Sequence, residues 1–437
     1  MNDLSPSMQL TLAFAMALAI QLLVQLWLNV RQVRHVAQHR HEVPAAFTTH
    51  IALSAHQKAA DYTLAKARFG LFHMAWGAVI LLGWTLLGGL DALHTVLLQF
   101  IAPGMAQQLL LLAAFAMISG VLDLPFSLYQ TFVLEARFGF TKSTFSIWLG
   151  DLLKSTLLAV AIGLPIACVI LWFMGAAGSL WWLWAWGIWT GFQLLLMWIF
   201  PTFIAPLFNK FEPLADDSLK ARVTALMQRC GFAAKGLFVM DGSRRSAHAN
   251  AYFTGFGASK RVVFYDTLLK QLNTEEVEAV LAHELGHFKH KHITKRMIGM
   301  FVLSLVGFAI LGWLSQQSWF YAGLGVTPSA AMAFGQSAYY DALALLLFML
   351  ALPVFTFWIS PVMAHFSRRD EFEADAYAMQ QAQGSALARA LLKMYEDNAS
   401  TLTPDPVYAR YYYSHPPAVE RLARMPQPVI SNPGSAA

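Results

Sequence analysis

Long apolar runs recur along the chain, near residues 9–30, 69–91, 107–127, 155–175, 181–205, 297–315 and 342–364. Each is close to or above the ~20 helical residues that cross a hydrocarbon core. Buried helices of a large soluble protein would be shorter and amphipathic. The pattern therefore predicts a mainly α, polytopic membrane protein with seven transmembrane helices. The first run is too long for a signal-peptide core and has no basic region before it, so it is expected to stay as a span. Two polar blocks interrupt the apolar pattern, 206–296 and 365–437. The expected division is thus 1–205 with spans one to five and their loops, 206–296, 297–364 with spans six and seven, and 365–437. The two polar blocks read as the halves of one split domain.

Within the first block, segments 237–240, 250–256 and 261–265 have the composition of short strands, the last two joined by a Gly-containing turn around 256–260. A small β-sheet is expected there. Asn273 with Glu276 three residues on has the form of a capping box, opening a helix through Val277, Val280, Leu281 and Leu285 toward Lys291. In the second block, 366–397 reads as one long helix, followed by a Pro- and Tyr-rich stretch, a short final helix from Pro416 and a disordered tail after Met425.

Composition agrees with the spans, since 57% of the residues are hydrophobic and 13% charged. The net charge of +5 does not imply nucleic acid in so apolar a chain. Instead it orients the protein. Crossing seven times places 1–8, 92–106, 176–180 and 316–341 on one side, and none of them holds a Lys or Arg, so all 30 basic residues lie on the other. The positive-inside rule makes that side cytoplasmic, with the amino terminus outside and both polar blocks inside. The expected location is multi-pass in a bacterial inner membrane or, in a eukaryote, the endoplasmic reticulum. Cys168 lies in an apolar run and Cys230 in a polar block, so neither a disulfide framework nor a Cys-based metal site is expected.

The chemistry concentrates in Leu281-Ala-His-Glu-Leu-Gly-His-Phe288. His283 and His287, four apart on a helix, present both imidazoles on one face at a separation suited to one Zn²⁺. Glu284 beside that face can take a proton from a water acidified by the metal and return one to the leaving amine. A catalytic zinc needs a third protein ligand, and two candidates compete. His290 lies close to the same face but in the basic run Lys289-His-Lys-His292, which reads as a solvated helix end. Glu371 lies in Ser367-Arg-Arg-Asp-Glu-Phe-Glu-Ala-Asp375, sharing a helical face with Ala374, Asp375 and Ala378. The alanines would admit the two helices to close contact, and Asp375 could then accept the free ring N–H of a ligating histidine.

At this point the chain resembles the type I CAAX prenyl endopeptidases, membrane-embedded metallopeptidases. The resemblance covers nearly its whole length, through the span count, the split domain, the H-E-x-x-H, Asn250-Ala-Tyr-Phe253, the Glu-x-x-Ala-Asp of Glu371–Asp375 and Tyr413-Ser-His-Pro-Pro417. It implies a zincin-like metallopeptidase domain, one Zn²⁺ per chain with Glu371 as third ligand, and spans that enclose an intramembrane chamber. It also implies that Asn250, Ala251, Tyr252 and Phe253 bind an extended peptide by strand addition. His415, fixed by Pro416 and Pro417, would donate to the developing oxyanion. Arg421 would pair with an acid near the metal, Asp375 being the nearest guess. The implied substrate is a peptide or protein, prenylated or membrane-associated, cut near its carboxyl terminus. A quality-control protease without prenyl specificity is the alternative. A site-2-type intramembrane protease fits less well, because Glu275, Glu276, Glu278, Lys289 and Lys291 flank the motif. A zinc transporter or sensor would use the histidines and need no general base.

Overall fold

The computed structural model describes residues 4–233, 236–254, 261–328 and 340–426. Among them, seven helices are long and apolar enough to cross a membrane: Pro6–His39, Leu53–Trp84, Met105–Arg137, Phe145–Ala176, Gly178–Leu207, His292–Leu314 and Asp341–Gln381. Their outward faces carry large apolar side chains such as Trp172, Trp184, Phe203 and Val306. Phe14, Leu90, Leu171, Tyr321 and Leu347 form a core between the spans.

The spanning helices run past the apolar runs into polar sequence, to His39 in the first and from Leu53 in the second, while two helices end earlier than the sequence reading has them. The second span ends at Trp84 rather than near residue 91, because Thr85 folds its hydroxyl back onto the Leu81 carbonyl and Gly88 adopts a left-handed conformation with φ 76°. A separate helix, Gly89–Phe100, follows. The long helix expected over 366–397 is two helices. The first ends at Gln381, where Ala382 turns extended, and the second runs Gly384–Asp397. The seventh span continues through one 3₁₀ turn, Phe357–Ile359, into Ser360–Gln381, so the membrane rod and the helix bearing Glu371 are continuous.

The four strands are β1 (Phe211–Pro213), β2 (Gly236–Met240), β3 (Ala251–Thr254) and β4 (Arg261–Tyr265), in the order β1-β2-β4-β3. The β2 and β4 strands pair in parallel, while β3 pairs antiparallel with β4 in the register Ala251↔Phe264. The turn expected around 256–260 and the tail beyond residue 426 lie outside the described residues. One core ties this sheet to both polar blocks, through Leu226, Phe264, Leu281, Leu391 and Leu422.

The helix Thr274–Lys289 starts as its sequence predicts, with Asn273 and Glu276 forming both hydrogen bonds of a capping box. Glu276 is buried, and Lys393 meets it at 2.7 Å. Asp405 caps the helix Pro406–Tyr412, which the Pro- and Tyr-rich stretch did not announce, and accepts two hydrogen bonds from Arg31 of the first span, at 3.2 and 2.9 Å.

Candidate metal centre

Close contact between the motif helix and the seventh helix assembles the site. Where they cross, a Cβ added to Gly286 would stand 2.9 Å from Ala374 Cα and 3.0 Å from its carbonyl oxygen. Ala374 and Ala378 are fully buried along this seam. The absence of side-chain bulk lets Glu371, on the same face as both alanines, reach the two histidines.

His283 Nε2 and His287 Nε2 are 3.3 Å apart, and each lies 3.4 Å from an oxygen of Glu371. The His283 contact runs to Oε2 and the His287 contact to Oε1. Two donors bound to one ion at ~2.0–2.1 Å in tetrahedral directions stand ~3.3–3.4 Å apart, and each of these contacts has that spacing. Glu371 Oε2 is buried and makes no well-formed hydrogen bond; Arg421 Nη1 stands 3.8 Å away, and a metal ion between the three side chains would satisfy the oxygen directly. The residues therefore fit a metal ion. His290 is not among them; it is exposed and stacks on His292.

The outer contacts are ordered in turn. His283 Nδ1 lies 2.8 Å from Asp375 Oδ1. Asp375 also accepts from Arg421, Nε at 2.9 Å and Nη2 at 2.6 Å, in a buried bidentate pair. Behind His287 is an arrangement that the sequence reading missed. His287 Nδ1 is 3.0 Å from His292 Nδ1, and His292 Nε2 is 3.1 Å from Glu373 Oε2. The basic run Lys289-His-Lys-His292 reads as a solvated helix end, yet His292 is 1% exposed. The left-handed Lys291, φ 56°, swings it beneath the motif helix. Only its spacing of five from His287 hinted at this.

Glu284 borders a cavity of about 910 Å³ whose wall includes His283, Glu371, His415 and Arg421. Burial raises the Glu284 carboxyl above its ordinary range. His415 Nε2 lies 3.3 Å from Glu371 Oε1, and its Nδ1 is 3.0 Å from Ser414 Oγ. Asn250 and Ala251 also line the cavity. Tyr252 and Phe253 point elsewhere: Tyr252 Oη lies 4.0 Å from Met240 Sδ, and Phe253 packs edge-on against Phe232. Among the described residues β3 is one of the sheet's two edge strands, the one whose start lines the cavity.

A donor set of this kind, carried by helices that join directly to membrane spans, is the mark of a membrane metalloendopeptidase. Sequence comparison is consistent with that class and narrows it. Residues 213–429 match the model of peptidase family M48, and residues 32–210 match that of the CAAX prenyl protease N-terminal region, described as five membrane helices. The chain belongs to this CAAX prenyl protease family. It is 33% identical over 436 residues to the CAAX prenyl protease 1 homolog of Arabidopsis thaliana, covering 95% of this chain and 97% of that one. With CAAX prenyl protease 1 of Saccharomyces cerevisiae it shares 34% identity over 417 residues and 91% of each chain. The crystal structure of S. mikatae Ste24p superposes with a TM-score of 0.86 at 32% identity, covering 95% of this chain and 98% of that one. The chain is a multi-pass integral membrane metalloprotease acting on peptide or protein substrates.

Proposed function

We propose that the chain is a zinc-dependent endopeptidase that works at the cytoplasmic face of its membrane and cuts near the carboxyl terminus of prenylated proteins. The observation that carries this reading is the donor set of His283, His287 and Glu371, with contacts of 3.3–3.4 Å between them, beside a cavity that His283, Glu371 and Glu284 line. The excess of Lys and Arg in the polar blocks supports the cytoplasmic assignment. Segments 206–296 and 365–437 then act as one peptidase unit, split by spans six and seven, with 1–205 holding the first five.

In this reading His283 and His287 offer Nε2 to the metal, which places both ring protons on Nδ1. His283 then donates to Asp375. His287 donates to His292 Nδ1, and His292 donates from Nε2 to Glu373, so every proton in the chain has an acceptor. Arg421 holds Asp375 in place and keeps its charge balanced. Bound zinc would supply a Lewis acid that polarises the scissile carbonyl and acidifies water. Glu284 takes the proton of the attacking water and hands it to the leaving amine, a return step favoured by the raised affinity of its carboxyl for protons. His415 donates to the developing oxyanion, with its ring steadied by Ser414 and by the two prolines that follow. The substrate backbone pairs with the edge of β3 at Asn250 and Ala251.

The test is cleavage of a farnesylated CAAX peptide and its unprenylated counterpart by purified protein, with and without chelator. The expected result is chelator-sensitive cleavage that favours the farnesylated peptide. Equal cleavage of both would remove prenyl recognition. A Glu284→Gln protein with zinc and undiminished cleavage would overturn the assignment of the base. Cleavage of no peptide by zinc-loaded protein would overturn the peptidase reading.

A further inference from the structure

The catalytic cavity contains a cation to which the chemistry above gives no work. On the second span Thr63, Lys66, Ala67 and Gly70 share one helical face, and all four line the cavity. Two of them are small, and a Cβ at Gly70 would meet nothing within 4 Å, so this face leaves room in front of it. The cavity wall holds one other Lys or Arg among the described residues, Arg421, which is paired with Asp375 and stands 3.8 Å from Glu371. Lys66 has no carboxylate partner among the described residues.

Lys66 is exposed to the cavity, and the residues behind it are tied to one another. The Lys66 ammonium lies 4.9 Å from the centre of the Tyr62 ring. Tyr62 is buried between Phe138 and Phe140 and donates its hydroxyl to Glu135. On the far side of Glu135 stands His248, 3.9 Å away, two residues before Asn250. Lys66 is therefore linked to the amino-terminal end of β3. A peptide added antiparallel to β3, the commoner and slightly more stable pairing, runs its carboxyl end toward that same end of the strand. An extended chain advances ~3.4 Å per residue, so a carboxyl end held at the wall of the same cavity lies a few residues from the metal centre.

We propose that Lys66 binds the terminal carboxylate of the peptide substrate and so selects for cleavage a few residues from a free carboxyl end. The inference rests on the peptidase reading above and adds to it the polarity of the bound chain. An ammonium–carboxylate contact in a partly enclosed cavity is a charge-assisted hydrogen bond, for which discrimination of about tenfold is expected.

The experiment compares kcat/KM for a farnesylated CAAX peptide ending in a free carboxylate with the same peptide ending in a carboxamide, using the full-length zinc-loaded protein. The wild type should prefer the acid by about tenfold. In Lys66→Met, and in the polar variant Lys66→Gln, the ratio should collapse toward unity. Lys66→Arg, which keeps the charge, should retain it and shows that the position tolerates replacement. Equal cleavage of acid and amide by the wild type, or a preference that survives in both neutral variants, would refute the role of Lys66 and leave the peptidase reading standing. Failure to cut either peptide would remove both.

Discussion

Substituting Gly286 by alanine tests whether helix proximity sets the metal geometry. The new Cβ would meet Ala374 Cα at 2.9 Å, its carbonyl oxygen at 3.0 Å and Tyr377 Cβ at 3.2 Å. Two of these atoms belong to the neighbouring backbone and cannot rotate away. Ordinary carbon contacts lie at ~3.5–4.0 Å, so the helices must part by roughly 0.5 Å. Metal–ligand distances tolerate only about 0.2 Å, and Glu371 stands one turn from the point of contact. The overpacking costs about 1–3 kcal/mol, but alanine returns up to about 1 kcal/mol of helix propensity, so the fold should survive. The expected outcome is a variant with a thermal midpoint near that of the wild type whose zinc affinity falls about 10-fold or more, the scale on which disturbed metal surroundings act. Competition against a chromogenic chelator measures the affinity, and scanning fluorimetry the stability. If Gly286→Ala bound zinc with wild-type affinity and turned over peptide at the wild-type rate, the seam would not be what positions Glu371.

Further expectations concern the surrounding groups. Glu284→Gln should retain one zinc per chain by elemental analysis while kcat falls by about 10²–10⁴. Asp375→Asn can still accept the His283 proton but leaves Arg421 without its bidentate anion; zinc affinity should drop about 10–100-fold in the chelator assay. His292→Ala removes the acceptor for the His287 ring proton and should weaken zinc to a similar degree, with the loss appearing as faster metal release in stopped flow. Asp405→Ala deletes a helix cap and leaves Arg31 unpaired; a loss of about 1–3 kcal/mol should show in thermal unfolding, with zinc stoichiometry unchanged.

The parts of this molecule that were legible in the sequence are those governed by local rules. Seven apolar runs marked the spans, Asn273 and Glu276 marked the start of the motif helix, and the His283–His287 spacing marked one face of it. Ala374 and Ala378 signalled a close approach, and the close approach is present. What could not be read depends on where separate elements meet. The basic run after His287 looked solvated, because nothing in Lys289-His-Lys-His292 shows that one of its histidines turns inward. The break at Ala382 had a local signal in Gly384-Ser385, a poor helix-forming pair that the apolar periodicity on either side outweighs. Within Asn250-Ala-Tyr-Phe253 the sequence could not separate the two residues at the cavity from the two that turn away. Lys66 is one basic residue among many until the fold sets it on the cavity wall, with no carboxylate partner among the described residues.

The seventh helix leaves the apolar region without ending and goes on to present Glu371. From Asp341 to Glu371 the rod is ~45 Å long, so a tilt change of ~3° would move the carboxylate by ~2 Å, unless the seam at Gly286 resists it. Helices adjust their tilt to the thickness of the surrounding hydrocarbon. Lipid composition thus enters the coordination geometry as a mechanical variable, and rates measured in micelles and in bilayers of graded thickness should differ for that reason alone. Rates that stay equal across bilayers of graded thickness would show that the Gly286 seam alone holds Glu371 in place.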